Sequence, residues 1–277
     1  MLYWVPLLDS ILMNHAIGYA FLLTTIAGFA TGIGSALAYL THHTRRGLLS
    51  VALGFSAGVM IYISFVELYA QANSLLTAAY GKLAGGAAAS LSFFCGMLLI
   101  ATIDFLVPSY ENPHEVGMVE EMQPYGSSRE LHRLGLLTAI AIGIHNFPEG
   151  IATFFAALTD YTVGFSVALA IALHNIPEGI SISIPVFYAT GSRRKAFWYS
   201  FLSGLSEPVG AIIGYLILRP FFTNQIMGVI FAAVAGIMVF ISLDQLVPHA
   251  KKYSQGHQSV YGLISGMAVM AITLLLI

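Results

Sequence analysis

Charge is what this chain has least of. Of its 277 residues only 9% are Asp, Glu, Lys or Arg, against roughly 25% in an average soluble domain. Apolar residues make up 57% and the mean hydropathy is +0.81, which excludes an ordinary soluble enzyme and points to an integral membrane protein. Cysteine is nearly absent: Cys95 stands alone, so an internal disulfide and a cysteine-built zinc cage are both excluded. No basic block or aromatic–basic interleaving is present, and no nucleic-acid partner is expected. Neither an H-E-x-x-H helix nor a G-x-S-x-G turn occurs, which removes the signatures of zincins and serine hydrolases. The first residues, MLYWVPLLDSILMNH, lack a basic n-region and a small-residue cleavage site, so no removable signal peptide is expected.

Long apolar runs are present instead, and runs of about 20 residues are read as membrane helices. Eight spans are expected, at about 15–40, 48–72, 84–107, 134–157, 162–188, 196–218, 224–248 and 259–277. The fold class is therefore an all-α membrane protein, one transporter-like domain over residues 1–277. Its one long connection, 108–132, is polar, Pro-containing and acidic, and reads as a flexible loop. Arg45, Arg46, Arg129, Arg133, Arg193, Arg194, Lys195, Lys251 and Lys252 all follow odd-numbered spans, while only Lys82 and Arg219 lie on the other side. The positive-inside rule puts the first group, and the 108–132 loop, in the cytoplasm and both termini outside.

The chain repeats itself. HNFPEG at 145–150 recurs as HNIPEG at 174–179, in the next span. AGVMIYISFVEL at 57–68 matches AGIMVFISLDQL at 235–246 in six of twelve positions. Fainter echoes pair Gly28, Gly34 and Tyr39 with Gly204, Gly210 and Tyr215, and Gly96 and Met97 with Gly266 and Met267. Matched spans run in opposite directions, giving three, two and three spans with the halves inverted. Inverted repeats with Pro-interrupted helices near the midplane mark secondary transporters.

The repeated hexapeptide carries metal-ligand chemistry. On a helix His145 and Glu149 stack four residues apart, as do His174 and Glu178, and Asn146 and Asn175 lie three residues before the same Glu. A carboxylate has two oxygens and can bridge two cations. The spacing predicts two adjacent metal positions: an imidazole-rich one from His145, Glu149, His174 and Glu178, and an oxygen-rich one from Asn146, Asn175 and both Glu. Pro148 and Pro177 are expected to free backbone carbonyls and kink the helices. In SEPVG, Glu207 adds a third carboxylate beside Pro208 and is expected to complete the oxygen-rich position. A lone membrane His or Asn more often bonds a neighbouring helix than a metal. Glu argues the other way, since each charge at mid-bilayer costs roughly 2.5–3.5 kcal/mol, and three would cost on the order of 10 kcal/mol if uncompensated. A divalent cation offsets that cost.

Glu67 lies toward the outer part of its span and is expected to help an outer approach site. Asp104 and Asp244 end spans near the cytoplasmic face. Met60 and Met238 read as core packing rather than soft-metal ligands. The His and carboxylate set suits Zn²⁺, Fe²⁺, Mn²⁺ or Co²⁺ and suits Ca²⁺ and Mg²⁺ poorly. The metal is cargo, and no resident cofactor is required. A membrane-embedded di-metal enzyme is the alternative built from the same residues.

At HNFPEGIATF, LALAIALHNIPEGISISIPVFYATGSRRKA, SGLSEPVGAIIGYLIL and AAVAGIMVFISLDQLVP the chain resembles the ZIP family (Zrt-, Irt-like proteins) of divalent-metal transporters, and within it the ZupT-like bacterial branch. That resemblance implies a homodimeric eight-helix carrier of the bacterial inner membrane. It implies movement of Zn²⁺, and often iron, manganese, cobalt or cadmium (Cd²⁺), into the cytoplasm. It also implies a binuclear site at His145, Asn146, Glu149, His174, Asn175, Glu178 and Glu207, and elevator-like movement of spans one, four, five and six against the rest. The chain departs from relatives in two places: the 108–132 segment and its flank offer mainly His114 and His132, and Gln245 stands where related carriers have a second acidic residue.

Overall fold

The computed structural model describes residues 5–40, 46–106 and 146–276, and among these the only regular elements are helices. They are α1 (Val5–Leu40), α2 (Arg46–Ile63), α3 (Ala70–Tyr80), α4 (Lys82–Leu106), α5 (146–159), α6 (Tyr161–Thr190), α7 (Arg193–Gly204), α8 (Ser206–Leu218), α9 (Asn224–Ile241), α10 (Val247–Lys252) and α11 (Gln258–Leu276). Seven stretches among the described residues are long and apolar enough to cross a membrane. Of the fourth expected span, about 134–157, only residues 146–157 lie within the described residues, and the 108–132 segment lies outside them. Large apolar side chains stand exposed along the outer helices, such as Leu91, Phe94 and Leu98 of α4 and Ile264, Ile272 and Leu275 of α11. Lipid is the solvent that accommodates such faces, so the protein is integral to the membrane.

Some helices run farther than hydropathy indicates. α2 continues through one π turn, Ser64–Tyr69, directly into α3, so the second span reaches Tyr80 rather than about residue 72. Gly81 stops it with φ +79°, a backbone region that costs glycine nothing. α9 likewise continues through a π turn, Ser242–Leu246, into α10. The two π turns start at Ser64 and Ser242, which occupy the same place in the 57–68 and 235–246 repeat. π turns add one residue to a helical turn and concentrate at functional sites.

The inverted repeat is visible in atomic contacts. A Cβ on Gly58 would strike the Leu263 carbonyl, and one on Gly236 would strike the Phe93 carbonyl. The spacing that pairs Gly96 with Gly266 also pairs Phe93 with Leu263, so α2 packs on α11 as α9 packs on α4. Gly28 and Gly204 are a self-matching pair: each blocks the other's carbonyl. Gly34 closes on the Ile176 carbonyl as Gly210 closes on that of Phe147, and Phe147 and Ile176 hold the same position in the two hexapeptides. Small residues at these crossings let backbones approach closely, which is how membrane helices gain packing energy when lipid supplies no hydrophobic drive. Two packing groups result. α1, α6, α7 and α8 form one, and α2, α3, α4, α9, α10 and α11 the other; α2 against α6 is their main described junction.

Candidate metal centre

The site lies where α5, α6 and α8 converge. Asn146 and Glu149 come from α5; His174, Asn175 and Glu178 come from α6; Glu207 comes from the first turn of α8. None of the six is more than 5% exposed. Close approach of the backbones makes the convergence feasible. Gly150, just after Glu149, packs on the Glu207 carbonyl, and Gly179, just after Glu178, packs on the Thr31 carbonyl of α1. A side chain at either glycine would push the carboxylates apart.

The structure brings together three of the four residues expected at the imidazole-rich position. One ligand atom from each of Glu149, His174 and Glu178 lies within 4.8 Å of the other two. His174 Nε2 is 3.8 Å from Glu149 Oε1 and 3.8 Å from Glu178 Oε2. Those separations are too long for hydrogen bonds and close to the roughly 3.3 Å between two atoms that share a tetrahedral zinc at about 2.0–2.1 Å. His145 lies outside the described residues.

The oxygen-rich residues pair across helices rather than along them. Asn146 Nδ2 donates to Glu178 Oε2 at 3.4 Å. Asn175 Nδ2 donates to Glu207 Oε1 and, at 2.8 Å, to the Ala27 carbonyl. Asn175 Oδ1 and Glu207 Oε2 have no hydrogen-bond partner among the described residues, so two oxygen acceptors remain for a cation. Ionised carboxylates gathered this closely repel one another, and a cation between them turns that repulsion into attraction.

α6 runs unbroken from Tyr161 to Thr190 through Pro177. Pro208 sits in the first turn of α8, just past a one-residue break at Leu205, where a missing N–H costs little. The Gly204 carbonyl, four residues before Pro208, is the one that abuts Gly28.

Glu67 falls outside the clustered ligands. It is half-buried in the first π turn and feels the negative charge of Asp160, the residue between α5 and α6 that caps α6 through bonds to the Thr162 and Val163 amides at 2.8 and 3.0 Å. Asp244 is exposed in the second π turn and Asp104 half-buried near the end of α4. Met60 and Met238 are buried in the core, as expected.

Two further residues touch the site without an obvious mark in the sequence. Ser56 of α2 contacts His174 Nδ1. Thr31 is buried, and its hydroxyl has no hydrogen-bond partner among the described residues. The 176-residue spacing that pairs Gly28 with Gly204 pairs Thr31 with Glu207, so the repeat supplies the third carboxylate on one side only. The match lies inside the echo, three residues past Gly28 and Gly204.

The family model described as ZIP Zinc transporter matches residues 109–274. A protein named zinc transporter ZupT from Streptococcus mutans serotype c is 56% identical over 264 residues, covering 95% of this chain and 99% of that protein. Proteins of the same name from Nitratidesulfovibrio vulgaris and Oceanobacillus iheyensis are 57% and 58% identical over 266 and 261 residues, each covering 93% of this chain and 96% and 97% of theirs.

Proposed function

The chain belongs to the ZIP family, a family of transporters rather than enzymes, and on that footing we propose that it carries Zn²⁺ across the membrane into the cytoplasm. The observation that carries this reading is the convergence of Glu149, His174 and Glu178 inside a bundle of membrane-spanning helices. His174 binds the metal through neutral imidazole and Glu149 and Glu178 bridge. Asn146, Asn175 and Glu207 hold a second position, and His145 joins the first. Fe²⁺, Mn²⁺, Co²⁺ and Cd²⁺ are further cargo, since this donor set does not discriminate sharply among them.

The inverted packing of two helix groups supports alternating access, with the group bearing α1, α5, α6, α7 and α8 moving against the other. The basic residues place the ends bearing Arg193, Lys251 and Lys252 in the cytoplasm and both termini outside, with the whole chain one domain of a bacterial inner-membrane homodimer and 108–132 its cytoplasmic loop. In that orientation Glu67 and Asp160 face outward and attract cations toward the site. Family membership favours this reading over an embedded di-metal enzyme.

The test is zinc uptake into proteoliposomes by the parent protein and by Glu178→Ala. Uptake by the parent, reduced to the protein-free background by the substitution, is the expected result. Equal uptake by the folded variant contradicts the site assignment.

A further inference from the structure

Ser56 has no place in the motif, yet it touches a metal-ligand side chain directly. Its hydroxyl contacts His174 Nδ1 and lies 3.5 Å from the His174 carbonyl. Both partners are buried. The hydroxyl can donate to or accept from the ring; when it accepts, Nδ1 carries the imidazole proton and Nε2 keeps its lone pair. Nε2 is the atom that faces Glu149 and Glu178.

We propose that Ser56 is a positioning residue for metal binding, fixing the tautomer and orientation of His174 so that Nε2 is the ligand. Resting on the function proposed above, this adds a determinant of affinity from outside the motif. Histidines that bind metals commonly donate their other ring nitrogen to a fixed acceptor, and losing that acceptor typically costs 10–100-fold in affinity or activity. The matched position in the other copy of the repeat carries no such group. The spacing that pairs Ala57 with Ala235 pairs Ser56 with Val234, a side chain with no hydrogen-bonding atom.

Its location gives it a second consequence. Ser56 belongs to α2 and His174 to α6, the pair of helices that forms the main described junction between the two packing groups. Sliding of one group past the other separates the hydroxyl from the ring. His174 is therefore held for metal in the arrangement seen here and released from that hold when α6 moves along α2, so affinity depends on conformation.

The experiment compares the parent, Ser56→Ala and Ser56→Thr in proteoliposomes, with Co²⁺ absorption spectra of the purified proteins as a second readout. Ser56→Ala is expected to raise the half-saturating zinc concentration about tenfold or more, to keep the rate at saturating zinc, and to alter the Co²⁺ ligand-field bands. Ser56→Thr, which keeps the hydroxyl, returns both toward the parent. Ser56→Ala with the parent's half-saturation and Co²⁺ spectrum overturns the inference while leaving the transport reading intact. A Ser56→Thr protein that folds but behaves as Ser56→Ala also overturns it, because bulk rather than the hydrogen bond is then the cause. Absence of zinc uptake by the parent brings down the transport reading and this inference together.

Discussion

Asn146 and Glu178 sit on different copies of the repeated hexapeptide and meet directly, Asn146 Nδ2 donating to Glu178 Oε2 at 3.4 Å. The bond ties α5 to α6 at the level of the ligands. That same Glu178 oxygen lies 3.8 Å from His174 Nε2, so one oxygen of the carboxylate faces an amide and an imidazole at once.

Removing the amide should therefore weaken binding more than it weakens folding. Asn146→Ala is expected to raise the half-saturating zinc concentration roughly tenfold with the protein still eluting as a single folded species. Zinc-uptake kinetics beside size-exclusion profiles check this, and unchanged half-saturation contradicts it.

His174 should set metal preference more than overall activity. Imidazole suits zinc, whereas carboxylate and amide oxygens suit manganese well. His174→Ala leaves Glu149, Glu178 and Glu207 in place and is expected to cut zinc uptake more than manganese uptake. Competition between the two metals in one assay reads the ratio. If His174 only packs helices together, both metals fall equally or neither falls.

The matched glycine crossings make a prediction about stability. A Cβ at Gly58 or Gly236 meets a backbone carbonyl of the facing helix, while nothing lies within 4 Å of one at Gly18. Gly58→Ala and Gly236→Ala should each destabilise by about 1–3 kcal/mol and by similar amounts, with Gly18→Ala near the parent. Thermal unfolding in detergent measures this. Clearly unequal losses at Gly58 and Gly236 count against their equivalence.

Much of this was legible in the residue pattern because membrane helices announce themselves by length and charge avoidance. The doubled hexapeptide was legible for a related reason, since His, Asn and Glu are costly in lipid and stand out. The echo of 57–68 in 235–246 translated into matched helix crossings because close packing in lipid needs glycine at fixed places. What stayed hidden had no compositional mark. The π turns at Ser64 and Ser242 leave hydropathy unchanged, and nothing local distinguishes Ser56 from the other small residues of α2. Asn146 pairs with the Glu of the other motif copy rather than its own, which depends on how α5 faces α6. α6 runs on through Pro177, and neighbouring helices commonly re-satisfy backbone groups that a membrane proline frees.

Protons should compete with the metal. Carboxylates and imidazole bind metal only when deprotonated, so metal binding releases protons. The half-saturating zinc concentration is therefore expected to fall as external pH rises from about 5.5 to about 7.5. Uptake kinetics over a series of free-zinc concentrations at each pH test this, and a pH-independent half-saturation contradicts it.

The central claim is that the two motif copies form one site for the transported ion, and locating that ion tests it most directly. Anomalous diffraction at the zinc edge, from protein that also transports zinc in proteoliposomes, gives the position. The account predicts a zinc peak at roughly 2.0–2.2 Å from His174 Nε2 and from carboxylate oxygens of Glu149 and Glu178. A transport-active protein whose zinc peaks all lie away from these three residues contradicts it.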